Sequence, residues 1–191
     1  MVFLDYLLQF HRTRRVARHV DDNDVVLDFG CYQGEFLKLI ENQIQAGFGI
    51  DKNISSRSSL NKSENSKIRL LKGNVDHIRR LPRDFQPTLI VAIAVLEHLS
   101  DCEILSFGTS IREISTQNAR LIITMPHPFV DNLIKFLKRL RLLDGMDDDA
   151  HHELGIEIVI QLLKKTNWRM IYWKKFQFGL NNEIHFVKSL T

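Results

Sequence analysis

Two acids and two glycines in the first third of this sequence are spaced to grasp a nucleoside. Asp28 lies near the end of an apolar run that opens at Val25. Gly30 and Gly34 frame a turn through Cys31, Tyr32 and Gln33, and an amphipathic segment starts at Glu35. In a strand that runs through a glycine turn straight into a helix, Gly30 can let the backbone approach a ligand and Gly34 can let the helix pack near the strand. The helix N-terminus behind the turn favours a negative group such as a carboxylate. A second apolar run, from Gly47, closes on Asp51. A carboxylate roughly 20 residues past the first strand can accept hydrogen bonds from both hydroxyls of a ribose. Either acid alone could simply end its strand and cap a turn. The ordered set of acid, two glycines and second acid carries the reading.

Proton transfer has one leading candidate. His98 follows the fourth apolar run, at the carboxyl edge where parallel-sheet sites open. Histidine is the side-chain type most often used as a general base. The alternative is that His98 starts the next helix and packs structurally. His127, His151 and His152 form a second group, each of a type more often found at surfaces and caps. They lack clear metal-ligand spacing, and no Cys/His cluster matches a zinc pattern, so no metal site is expected.

Positioning these groups requires strands alternating with helices. Residues 4–20 read as an amphipathic helix with Arg12, Arg14, Arg15 and Arg18 on a basic, solvated face. Strands are expected at 25–29, 47–51, 68–71, 88–94 and 119–124, and helices at 35–45, from Ser100 to about 116, and at 153–166. Ser100 with Glu103 has the form of a capping box. The polar stretch 55–67 predicts only a short or mobile helix. Residues 131–142 look helical and 144–149 form an acidic loop. The runs 168–178 and 183–188, flanking Gly179 to Asn182, read as a closing hairpin. This alternation demands a mostly parallel sheet with helices on both faces.

Composition bounds the function classes. The chain has 191 residues, 44% hydrophobic and 26% charged, the balance of one soluble globular domain. A net charge of +3 makes no strong electrostatic case for nucleic acid. Two cysteines, Cys31 and Cys102, cannot build a disulfide framework, and with no leader-like or spanning run the reading is cytoplasmic.

In order, Asp28 to Gly34, Gly49 to Asp51, Lys72 to Val75, and Val95 to Leu99 resemble the successive motifs of class I S-adenosylmethionine-dependent methyltransferases. The nearest flavour is the broad group of small-molecule methyltransferases similar to the ubiquinone and menaquinone biosynthetic enzymes. The likeness runs over roughly residues 24–126, and the tail fits the family's terminal strands. It implies a Rossmann-like α/β fold: a seven-stranded sheet of order 3-2-1-4-5-7-6, strand 7 antiparallel, in one domain over 1–191 with a substrate-side insertion at about 127–152. It implies S-adenosyl-L-methionine as cofactor. By the resemblance, Asp28, Gly30 and the turn of Cys31, Tyr32 and Gly34 hold the methionine portion. Asp51 binds the ribose, with Lys52 and Asn53 flanking the adenine. Asn74 contacts the adenine amino group, the backbone of Val75 bonds the ring, and Ala92 to Val95 lie beneath the sulfonium. Two positions depart from the pattern: Tyr32 stands where the family usually has glycine, and Asn74 where it often has Asp. Tyr32 either points away from the cofactor or narrows its site, and Asn74 keeps an acceptor but loses a charge.

The expected acceptor is a small molecule or a lipid- or sugar-linked intermediate, methylated at oxygen, with His98 as base. The basic apolar segment 133–143 is either a lid over the pocket or a peripheral contact with an anionic membrane. Methylation of RNA or protein and a binding module without turnover are the rivals. The fourth strand ends in Ala92 to Val95, unlike the motif of base N-methylation. A nicotinamide-dependent dehydrogenase is set aside because Tyr32 replaces a glycine of that fingerprint.

Overall fold

Seven strands form one sheet in the order β3-β2-β1-β4-β5-β7-β6. The computed structural model describes residues 3–55, 66–126 and 155–189. Chain order is α1 (Phe3–Ala17), β1 (Val25–Phe29), α2 (Glu35–Ile40), β2 (Ala46–Asp51), β3 (Ile68–Lys72), β4 (Leu89–Ile93), α3 (Asp101–Ile114), β5 (Arg120–Pro126), α4 (Ile156–Lys165), β6 (Trp168–Phe176) and β7 (Asn181–Lys188). Pairings from β3 through β5 are parallel, and β7 runs antiparallel to both β5 and β6. This is the architecture the resemblance implied. The insertion at 127–152, with His127, His151, His152 and the segment 133–143, lies outside the described residues, as does most of 55–67.

Alternation along the central strands fills two cores. On one face Leu27, Phe29, Ile90, Ala92, Leu121 and Ile123 pack against Ile104, Phe107 and Ile111 of α3 and Val159 and Leu163 of α4. On the other, Val26, Leu89, Val91 and Ile122 pack against Val16 of α1 and Phe36, Leu37 and Ile40 of α2. Successive strand side chains point to opposite faces. Asp28, between Leu27 and Phe29, therefore stands on the α1/α2 face, as do Glu183 and His185, which flank Ile184.

Several boundaries differ from the sequence reading for local reasons. α2 stops at Ile40 rather than residue 45, because the chain turns to hydrogen-bond the segment before β1. Asn23 N–H donates to Gln43 O at 3.0 Å, and Gln45 N–H to Asp24 O at 2.9 Å. α1 ends at Ala17, not 20, in a tighter turn in which Arg18 N–H donates to Arg15 O. β7 starts two residues early, at Asn181, opposite Pro126 of β5. The hairpin turn is consequently short, with Gln177, Phe178 and Gly179 all at left-handed φ. A 3-10 turn over Val75–Arg80, absent from the sequence reading, buries Val75 and Ile78. The capping box forms as expected: Ser100 N–H donates to Glu103 Oε2 at 2.8 Å and Glu103 N–H to Ser100 Oγ at 3.4 Å.

Candidate functional site

The strand order reverses direction between β1 and β4, and a cleft of about 220 Å3 opens at their carboxyl ends. A doubly wound sheet binds its ligand at this switch point. Asp28, Gly30, Cys31 and Tyr32 line the cleft from β1 and its turn. Ile93 and Ala94 line it from β4, and Gln9, Arg12, Thr13, Glu35 and Phe36 from α1 and α2. A hollow of about 310 Å3 also exists near Val25, Gln45 and Phe48. That one lies at the amino ends of β1 and β2, the edge opposite to where parallel sheets present their chemistry.

The turn after β1 is held by hydrogen bonds to β2. Gly30 N–H donates to Ile50 O at 2.8 Å, and Gly34 N–H to Cys31 O at 2.8 Å. Gly30 has φ +79°, and a Cβ there would meet Val95 Cγ2 at 2.5 Å. The close approach that requires glycine is thus to Val95 beyond β4. Gly34 precedes α2 at φ +85°, a left-handed conformation that glycine adopts without penalty. Tyr32 also has positive φ, +50°, the backbone state a glycine would occupy freely. Its side chain is 45% exposed, so the ring stands at the rim and does not plug the cleft. Ala94, at φ +53°, is a second non-glycine residue held left-handed in the cleft wall.

Asp51 ties three loops together. Its Oδ2 accepts the N–H of Tyr32 at 2.8 Å and its Oδ1 the N–H of Asn53 at 2.7 Å. Its carbonyl accepts the N–H of Gly73, past β3, at 3.0 Å. Each carboxylate oxygen keeps a further lone pair for a hydroxyl. Gln33 reinforces the joint: its amide donates to Asn53 O at 3.0 Å and accepts from Ser55 N–H at 3.4 Å. Sequence reasoning assigned Gln33 no role of its own, and nothing in its local pattern distinguishes it.

Asp28 is the electrostatic centre of the cleft. It is 2% exposed, and its Oδ2 has no hydrogen-bond partner among the described residues. Burial, with the charges of Asp51 and Glu35, pushes its pKa up to about 8. Burial likewise pushes the Cys31 thiol up, which makes it a packing group rather than a nucleophile. A cation brought beside this carboxyl would lower its pKa again and favour the charged form.

The remaining residues singled out from the sequence lie as follows. Lys52 is exposed beside Asp51. Asn74 caps the 3-10 turn, with Oδ1 accepting from Asp76 N–H at 3.2 Å and 2.7 Å from His77 Nδ1. Its side chain is engaged locally, and Val75 beside it is buried. Ala92 is fully buried in the α3/α4 core, whereas Ile93 and Ala94 reach the cleft. His98 ends a short 3-10 turn, Leu96–His98, just past β4 and is exposed. Gln9, Arg12 and Thr13 were missed as cleft residues: on α1 they read as a polar, solvated helix face, and only tertiary packing turns that face toward Asp28.

Known proteins give a consistent assignment. Among solved structures, the chain superposes on the PH0226 protein of Pyrococcus horikoshii OT3 with a TM-score of 0.69 at 16% identity, covering 96% of this chain and 91% of that one. It superposes on the N-methyltransferase NodS of Bradyrhizobium japonicum WM9 in complex with S-adenosyl-L-homocysteine (TM-score 0.66, 14% identity, 97% and 87% covered). It also superposes on the magnesium protoporphyrin IX methyltransferase of Synechocystis PCC 6803 with bound SAH (0.62, 14%, 96% and 82%). At these identities the likeness establishes the fold. No curated protein sequence matches significantly. A family model described as a methyltransferase domain matches residues 3–171. That match takes in every element from α1 through α4 and the start of β6, and the resemblance seen in the motifs is borne out: this protein belongs to the methyltransferase-domain family, on the class I fold.

Proposed function

We propose that the protein transfers a methyl group from S-adenosyl-L-methionine to a small-molecule or lipid- or sugar-linked acceptor. The single observation that carries this reading is the buried carboxyl of Asp28 in the cleft at the β1/β4 switch point, its Oδ2 without a hydrogen-bond partner among the described residues. That oxygen matches the ammonium of the donor's methionine tail, and Asp51, with a lone pair left on each oxygen, matches two ribose hydroxyls. When bound, the donor supplies an already activated sulfonium methyl.

The chain's own residues bind, align and exclude water. Asp28 holds the amine, while Gly30 and the Cys31–Gly34 turn carry the tail above the strand ends. Asp51 fixes the sugar from the end of β2, with Lys52 beside it. Val75 bounds the adenine end through its backbone, and Asn74 shapes that loop by capping it. Ile93 and Ala94 form the floor past Ala92. His98, exposed at the same edge, takes the proton of an acceptor hydroxyl, and alignment supplies most of the acceleration. Among the described residues no helix is long and apolar enough to cross a membrane.

The reading is tested by calorimetric titration with S-adenosylhomocysteine. The wild-type chain should bind one equivalent, and binding should raise its melting temperature. Asp51→Ala should weaken binding by at least about 10-fold, the loss of one charge-assisted hydrogen bond. Failure of the wild-type chain to bind would sink the donor assignment, and an unchanged affinity in Asp51→Ala would sink the ribose contact.

A further inference from the structure

Across the α1/α2 face of the sheet, away from the donor cleft, three ligand-bearing side chains converge. His19 follows α1, and Glu183 and His185 lie two apart on β7. His19 Nε2 is 2.7 Å from Glu183 Oε1, and His185 Nε2 is 2.6 Å from the same oxygen. One ligand atom from each residue can be chosen so that all three lie within 4.8 Å of one another. The two imidazoles meet edge to face, centroids 4.6 Å apart. Tyr172 of β6 packs on His185 at 4.8 Å. None of the three residues lines the donor cleft.

From this geometry we infer a divalent transition-metal site, with His19, Glu183 and His185 as ligands and Zn2+ as the ion that fits them best. Two imidazoles and a carboxylate form a recurrent three-residue zinc set that leaves a fourth position for water. Mg2+ and Ca2+ prefer all-oxygen shells. With metal–ligand distances of about 2.0–2.2 Å, tetrahedral ligand atoms sit roughly 3.3 Å apart. Each imidazole nitrogen, now 2.7 or 2.6 Å from Oε1, therefore needs to withdraw by roughly 0.6–0.7 Å, and the ligand atoms, within 4.8 Å of one another, need to draw in to that common spacing. The ion would take the place of the two Nε2–H···Oε1 hydrogen bonds that hold the cluster without it.

The surroundings support a ligand role. Glu183 is completely buried, and its other oxygen, Oε2, accepts from Arg15 Nε. A ligating carboxylate held through its second oxygen by an outer partner is the usual way such a ligand is oriented. Arg15 is itself held over the Phe176 ring, with the guanidinium carbon 4.8 Å from the centroid. The His19 side chain is 36% exposed and gives the ion an entry path. The expectation of no metal site rested on linear spacing, which cannot register ligands drawn from opposite ends of the chain. The site would clamp α1, and with it Gln9, Arg12 and Thr13 of the donor cleft, onto β7. It does not depend on the donor assignment.

The test is calorimetric titration of the full chain with ZnCl2 at neutral pH, followed by thermal melting. The wild-type chain should give a one-to-one isotherm and a higher melting temperature with Zn2+. The double variant His19→Gln/His185→Gln keeps amide donors toward Glu183 and should lose that isotherm. His151→Gln/His152→Gln should retain it. No isotherm in the wild-type chain, or an undiminished one in His19→Gln/His185→Gln, overturns the proposal. Should that variant fail to fold, protection of the wild-type histidines from diethylpyrocarbonate decides. Zn2+ should shield His19 and His185 selectively, and equal modification with and without Zn2+ overturns the site.

Discussion

The backbone N–H of Tyr32 donates to Oδ2 of Asp51 at 2.8 Å, so the residue standing in a glycine position is joined directly to the acid at the end of the neighbouring strand. The bond needs only the backbone of Tyr32, which leaves the ring free to stand in solvent. It also presets the carboxylate before any sugar arrives. Asp51→Asn retains one carbonyl acceptor but loses the charge, and its amide nitrogen cannot accept from Tyr32 or Asn53. Titration with S-adenosylhomocysteine should place its affinity between those of the wild-type chain and Asp51→Ala.

At position 32 the left-handed backbone makes a further prediction. A residue with a Cβ pays roughly 1–2 kcal/mol there, and glycine does not. Tyr32→Gly should therefore be more stable than Tyr32→Ala by about 1 kcal/mol in urea denaturation. Equal stabilities would mean that φ +50° is not the solution conformation.

Gly30→Ala meets two costs at once, a left-handed φ and contact with Val95 at 2.5 Å. Together they should destabilise the chain by about 3 kcal/mol. Gly30→Ala combined with Val95→Ala should recover part of that loss. Denaturation midpoints of the three variants check both statements, and an innocuous Gly30→Ala would contradict the packing.

Asp28 makes stability depend on pH. Its folded pKa, about 8, lies above the ordinary value of 3.8, so between those values the folded state holds a proton that the unfolded state has released. Stability should accordingly be full below pH 3.8, fall as pH rises toward about 8, and level off above it. Asp28→Asn should remove this slope and stabilise the unliganded protein at pH 8, by an amount on the order of a few kcal/mol. The same variant should bind S-adenosylhomocysteine more weakly, having lost the partner of its amine. Melting curves across this pH range, with and without that compound, separate the two effects. A pH-independent wild-type stability in this window would refute the assignment.

His98→Ala separates binding from chemistry. With an acceptor in hand, kcat should fall by about 100-fold or more while donor affinity stays unchanged. A parallel loss of donor binding would instead mean that His98 supports the fold of the cleft.

The sequence alone determined a mostly parallel sheet with helices on both faces and the acid–glycine–acid series, while the strand order was implied only by the family resemblance of its motifs. Those signals are local: apolar runs of strand length, a glycine turn between strand and helix, and an acid closing the second strand. Parallel topology then brings the carboxyl ends of β1, β2 and β4 to one edge without long-range information. Left undetermined was everything that depends on which face of one element meets another. Gln9, Arg12 and Thr13 enter the cleft because α1 packs over β1 and β7. The glycine at position 30 answers to Val95, a neighbour only through β1/β4 pairing. Asp28 becomes a buried acid, its Oδ2 without a hydrogen-bond partner among the described residues, because α1 and α2 close over its face of the sheet. His19 meets Glu183 and His185 because the last strand inserts beside β5. Periodicity along the chain specifies which residues are turned inward; the crossing of elements decides which charge each one confronts.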